Sequence, residues 1–157
     1  MYKKVSFIAC IFLILDQVTK VLVDTFIEPH ALIRVIDGFF YLSRTSNTGA
    51  GFSILKGRVI LLIILSIAAI YLLIKYMNDF KDNKLTCLSF GLLFGGIMGN
   101  LLDRVFLGYV RDFLKFNIFS YEYPIFNIAD VGIVVGVIIL MICIYRGDEI
   151  ESNSRRK

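Results

Sequence analysis

Residues 59–74 read VILLIILSIAAIYLLI, without a charge, a glycine or a proline. A helix that is apolar on every face has no side to offer water, so it is either the core of a large protein or a membrane span. A bilayer requires about 20 mostly apolar residues at about 1.5 Å rise each, which this run reaches by extending into its flanks. The chain has 157 residues, too few to wrap such a helix in a soluble shell. Working outward, the downstream runs 85–102 (LTCLSFGLLFGGIMGNLL) and 131–145 (VGIVVGVIILMICIY) have the same character. So does the upstream run 5–23, which Asp16, Gln17 and Lys20 interrupt. Composition agrees: 57% of residues are hydrophobic and 19% charged, against about 25% charged in soluble domains.

The expected fold is therefore membrane α-helical, one integral-membrane domain over 1–157 with spans at about 5–23, 59–76, 85–104 and 130–146. Outer loops cover 24–58 and 105–129, and a tail covers 147–157. A cleaved secretory signal is the rival reading of the first run. Asp16 breaks its apolar stretch and no A-x-A site follows, so it reads as a permanent helix. Basic residues set the orientation. Lys3, Lys4, Lys75, Lys81, Lys84, Arg146, Arg155, Arg156 and Lys157 crowd the termini and the short 75–84 loop, whereas the remaining eight are spread over long loops. Both termini are thus expected in the cytoplasm. The net charge of +4 is scattered rather than striped, which argues against nucleic-acid binding.

In the first outer loop, LIRVI and FFYLS flank Asp37-Gly38, the pattern of a β-hairpin with a tight turn. The second outer stretch carries Phe106, Phe113, Phe116, Phe119, Tyr121, Tyr123 and Phe126; the expectation is a loop whose rings form an interfacial belt. Cys10, Cys87 and Cys143 lie in apolar runs without a CxxC pair and read as small buried hydrophobes. His30 is the only histidine, so a multi-histidine metal site is excluded.

Polar residues close to a membrane core are costly, about 2.5–3.5 kcal/mol for Asp or Arg at the helix centre on insertion scales, so each needs a partner or a purpose. Asp16 and Lys20, four apart, share a helix face and read as an ion pair or as substrate-facing groups. Asn47-Thr48-Gly49-Ala50-Gly51-Phe52 reads as a turn or as backbone amides opened to a ligand. Asn100, Asp103 and Arg104 share a face, with Asp103 and Arg104 close enough to neutralise each other and Arg104 able to reach a substrate carbonyl or a lipid ester. Gly91, Gly95 and Gly99 form a stripe for close helix packing. Asp112 and Asp130 both fall where the second outer loop meets membrane. A turn through Tyr121 to Pro124 would bring them together as a proton-sharing pair, one acting as base on a water and the other as acid. The alternative is an N-cap at Asp130 and a solvated Asp112.

These clusters, taken in order, resemble lipoprotein signal peptidase (signal peptidase II). The matching runs are DQxxK at Asp16–Lys20, NxGxxF at Asn47–Phe52, GNxxDR at Gly99–Arg104, a VxDF-like run at Val110–Phe113 and FNxAD at Phe126–Asp130. The resemblance implies an aspartic endopeptidase that removes the signal peptide of prolipoproteins immediately before a diacylglyceryl-modified cysteine. It implies Asp112 and Asp130 as the catalytic pair. Asn47, Gly49, Asn100, Arg104, Asn127 and Ala129 would line the substrate groove, with Asp16, Lys20 and Asp103 in support. It further implies a β-element between the first two spans, no metal or other cofactor, and a monomer that meets only prolipoprotein and membrane lipid. Arg111 departs from the pattern, which has an aliphatic residue there. Facing inward it would lower the pKa of Asp112; the expectation is that it points to lipid headgroups. A proton-coupled transporter is the main rival, but the acids cluster at one membrane face and no internal repeat occurs. A presenilin-type protease would need a GxGD motif, which is missing, and a purely structural subunit would leave the polar clusters without purpose.

Overall fold

A computed structural model of the chain describes residues 1–49, 54–119 and 121–149. Four helices are long and apolar enough to cross a membrane: α1 (Tyr2–Phe26), α2 (Val59–Met77), α3 (Lys84–Leu107) and α4 (Ile128–Tyr145). Strands β1 (Leu32–Ile36) and β2 (Phe40–Asn47) follow α1, and β3 (Val110–Ile118) and β4 (Tyr121–Glu122) follow α3. The motif positions Ala50, Gly51 and Phe52, and the tail from 150 onward, lie outside the described residues.

The helix α3 is the hub. It packs against α1, α4 and, less extensively, α2. More than half of its most apolar window is buried (56%), against 6% in α2, which leaves α2 apolar on nearly every side, as its sequence demands. Small residues make the close approach possible. A Cβ at Gly91 would meet Ile8 Cγ2 at 2.5 Å, and one at Gly95 the Ala9 carbonyl at 2.9 Å. A Cβ at Gly99 would run into the Asp16 carboxylate. The stripe read from the sequence therefore faces α1. A second set serves α4: Gly96 lies under the Ala129 carbonyl and Gly136 under Leu93, joining α3 to α4, and Gly132 lies under the Phe12 ring of α1.

The hairpin forms as its sequence suggests, with Gly38 in the left-handed region (φ +71). Ile36 pairs with Phe40, so the loop has three residues rather than two. The second outer stretch differs from expectation. It is a strand, not a loop: β3 pairs antiparallel with β2, completing a sheet in the order β1-β2-β3-β4. Its aromatic residues divide. Phe116 stacks on Phe40 and Phe126, with centroids 4.6 and 5.7 Å away, and Phe113 is buried, whereas Phe106, Phe119, Tyr121 and Tyr123 are exposed. Ring-on-ring burial against a paired strand removes more apolar surface than a solvated loop does. Cys87 and Cys143 are buried as read, but Cys10 is exposed on the outer side of α1, because the small-residue contacts with α3 use the other face.

Gly108 makes the decisive connection. At φ +80 it is the left-handed cap of α3, its N–H donating to the Arg104 carbonyl. That abrupt stop turns the chain straight from Asp103 and Arg104 into β3.

Candidate active site

Strand alternation sorts the residues of β3. Val110, Asp112 and Phe116 turn toward a cavity of about 680 Å³ that Asn47, Asn100, Arg104 and Asp130 also line. Arg111 and Phe113 turn the other way, Phe113 onto Val23 and Ile27 of α1 and its exit. In the β2–β3 register Asn47 faces Val110 and Thr45 faces Asp112. Asn47 and Asp112 are thus diagonal neighbours on one face of the sheet.

Each oxygen of the two carboxylates accepts an N–H from an asparagine. Asp112 Oδ2 accepts from Asn47 Nδ2 (2.9 Å) and Oδ1 from Asn127 Nδ2 (2.7 Å). Asp130 Oδ1 accepts from Asn100 Nδ2 (2.8 Å) and Oδ2 from the Asn127 backbone N–H (3.2 Å). The amide orientations follow from donors on the other side. Asn47 Oδ1 accepts from the Gly49 N–H, Asn127 Oδ1 from the Asp130 N–H, and Asn100 Oδ1 from the Lys20 ammonium. Neither a backbone N–H nor an ammonium can accept, so each Nδ2 must face its acid. Asn127 is the N-cap of α4 and Asp130 its N3 residue, a reciprocal capping box. Asp130 is therefore not the cap that its position suggested. Asp112 is 3% exposed. Burial, and then the charge of Asp130, push its carboxyl up to about 7, against the opposing pull of the Asn47 and Asn127 bonds.

Below the acids lies a dry ionic layer. Asp16 and Lys20 form the expected i,i+4 pair at 2.8 Å, both side chains fully buried. Lys20 also reaches Asp103 (3.3 Å) and Asn100 (3.0 Å). Asp16 Oδ1 accepts the Ala129 N–H at the start of α4. Two expectations are corrected here. Asp103 does not neutralise Arg104, since adjacent helix positions point apart. Its partner is Arg111, whose Nη2 and Nε reach the two carboxylate oxygens at 2.6 and 3.2 Å. Arg111 in turn does not seek headgroups. Strand alternation points it away from Asp112 and into the protein, where it also bonds Gln17 (2.8 Å) and approaches Asp24 (3.5 Å). Arg104 instead donates to the Gly49 carbonyl (3.0 Å) and stays on the cavity wall.

Of the residues read from the sequence, Asn47, Asn100, Arg104, Asp112 and Asp130 meet on that wall. Asn127, Gly49 and Ala129 stand behind it, all three buried; Ala129 packs against Gly96 and Gly99. Asp16, Lys20 and Asp103 lie deeper still. The sequence reading passed over Asp24 and Arg44, which pair at 2.9 Å beside Arg111. It also passed over the α4 glycines, although Gly132 and Gly136 recur at the same four-residue spacing as the stripe on α3.

The family model for signal peptidase (SPase) II matches residues 8–146. The lipoprotein signal peptidase of Staphylococcus aureus (strain bovine RF122 / ET3-1) is 38% identical over 154 residues, 96% of this chain and 91% of that protein. The lipoprotein signal peptidase of Halothermothrix orenii is 35% identical over 146 residues, 93% of this chain and 98% of that protein. Among solved structures, a bacterial membrane enzyme determined by the in meso method at 2.3 Å superposes with a TM-score of 0.82 at 36% identity, covering 96% of this chain and 91% of that one. A second, at 1.9 Å, has a TM-score of 0.77 at 37% identity, covering 88% and 90%. A match over nearly the whole length, on a fold that brings the acidic motifs to one cavity, makes this chain a member of the signal peptidase II family of aspartic peptidases.

Proposed function

We propose that this multi-pass membrane protein removes the signal peptide of prolipoproteins by hydrolysing the peptide bond immediately before the diacylglyceryl-modified cysteine, with Asp112 and Asp130 as the catalytic pair. The observation that carries this reading is Asn127, which donates from its side chain to Asp112 and from its backbone to Asp130 and so couples the two acids on one cavity wall. Asp112, with its carboxyl near 7, holds the shared proton. Asp130 takes a proton from the attacking water as its oxygen adds to the carbonyl carbon preceding the cysteine. Asp112 protonates the carbonyl oxygen. As the C–N bond breaks, the proton on Asp130 passes to the cysteine nitrogen, and Asp112 recovers its own. Arg104 lines the same cavity, where its guanidinium can meet a substrate carbonyl.

The cavity runs along α4 to Val131, Val134 and Val135, and Val134 is 58% exposed on the outer side of the bundle. A signal helix and acyl chains arriving sideways from the bilayer meet an apolar wall. Asn47, Gly49, Asn100, Arg104, Asn127 and Ala129 hold or back the substrate groove; Asp16, Lys20 and Asp103 support them. The site is complete in one chain, which favours a monomer forming a single domain. Basic-residue density favours cytoplasmic termini and an active site near the outer face.

The test is cleavage by purified protein of a lipobox peptide carrying diacylglyceryl cysteine, compared with the free-thiol peptide. Scission directly before the modified cysteine, nearly abolished without the lipid, is expected. Equal cleavage of both peptides refutes the reading.

A further inference from the structure

A second cavity, of about 310 Å³, meets the first at Asn47, Asp112, Pro124 and Ile125. Its remaining described lining is Thr45, Ser46, Thr48 and Lys56. No residue of a membrane-spanning helix contributes to it, whereas the first cavity draws on α3 and α4. The two spaces therefore differ in chemistry: one is largely apolar and extends from the sheet along α3 and α4, the other is built only from the extramembrane strands and loops and carries hydroxyls and a cation.

Resting on the function proposed above, we infer that this second cavity receives the first residues after the modified cysteine, and that Lys56 makes it favour an acidic side chain there. A prolipoprotein changes character just after that cysteine: the signal helix and the acyl chains are membrane-borne, and the residues beyond the cysteine are water-soluble. Among the described residues Asp112 is the only acid common to both cavities, so a chain threaded past it passes from the apolar space into the polar one. Hydroxyls at Thr45, Ser46 and Thr48 hydrogen-bond an extended backbone whatever its sequence. Lys56 alone discriminates by charge. Among the described residues it takes part in no ion pair and no side-chain hydrogen bond, so its ammonium is available to a substrate carboxylate. The other ionisable group among the described lining residues is Asp112, which with Asp130 carries one negative charge. An acid in direct contact with that pair is disfavoured, so the preference belongs at the second residue after the cysteine, about 7 Å along an extended strand.

Diacylglyceryl-cysteine peptides bearing aspartate, asparagine or lysine at that second position test the assignment, with the full chain in nanodiscs. The wild type is expected to cleave them in the order aspartate, asparagine, lysine, with kcat/KM falling by about fivefold between the extremes, the scale of one exposed charge pair. The spread should narrow in 0.5 M salt, at which ion pairs are screened. Lys56→Gln should flatten the series and Lys56→Glu should invert it. Equal kcat/KM for the three peptides, or an unchanged order in Lys56→Glu, overturns the cavity assignment. Asp112→Asn separates the two proposals: if it cleaves as the wild type does, the catalytic reading fails. A flat series with Asp112-dependent cleavage sinks only the role of the second cavity.

Discussion

Asn127 holds Asp112 by a 2.7 Å hydrogen bond from Nδ2 to Oδ1. The same side chain caps α4 through its Oδ1. The position of an acid on β3 is thus tied to the start of a membrane helix, and the helix start carries the second acid. A single asparagine fixes the separation of two groups that arrive on different elements.

Asp112→Asn and Asp130→Asn should each lower kcat by at least about a thousandfold, because an amide fills the same space but cannot carry the proton. The double variant should be little worse than either single one, since the pair acts as a unit. Asp103→Asn should lower stability yet leave measurable turnover. Peptide cleavage and thermal unfolding in detergent distinguish these outcomes; near-normal turnover in Asp112→Asn would place the catalytic acid elsewhere.

The pH-rate profile should be bell-shaped, with its alkaline limb near pH 7, where Asp112 gives up the shared proton. Stability carries the matching sign. The folded protein keeps this proton up to about 7, while the unfolded chain releases it around 3.8. Raising the pH through that window therefore destabilises the fold, with no further loss from this group above it. Asp112→Asn should reduce the slope of Tm against pH between 4 and 7, and an unchanged slope would contradict the assignment.

Arg111→Leu should destabilise the protein by about 3 kcal/mol, because the buried Asp103 loses the better of its two cations. Arg111→Lys should recover only part, since an ammonium cannot span both carboxylate oxygens. Denaturation of the three proteins in matched detergent checks the order. An Arg111→Leu variant as stable as the wild type would mean that Lys20 alone satisfies Asp103.

With the native cysteines replaced, a membrane-impermeant thiol reagent should label Asp37→Cys, in the hairpin, on intact cells, and Lys3→Cys only after lysis. Labelling of Lys3→Cys alone from outside would reverse the proposed orientation of α1, and labelling of both would mean that α1 does not span.

The sequence by itself determined what depends on local spacing. Uncharged runs of helical length settle the membrane class, because no other solvent accepts them. The Asp16–Lys20 pair and the glycine stripe follow from the period of one helix, and Asp37-Gly38 sets its own turn. Partners across the chain are another matter. Asn47 and Asp112 are 65 positions apart, and their meeting depends on β2–β3 register, which no short window encodes. VRDFLKFNI alternates too imperfectly to announce a strand, so the pairing with β2 that stacks Phe116 on Phe40 is not legible in it. Arg111 is the clearest case. Its charge is legible, but whether it faces Asp112 or Asp103 is decided by strand alternation and the turn at Gly108, and so only by the tertiary structure.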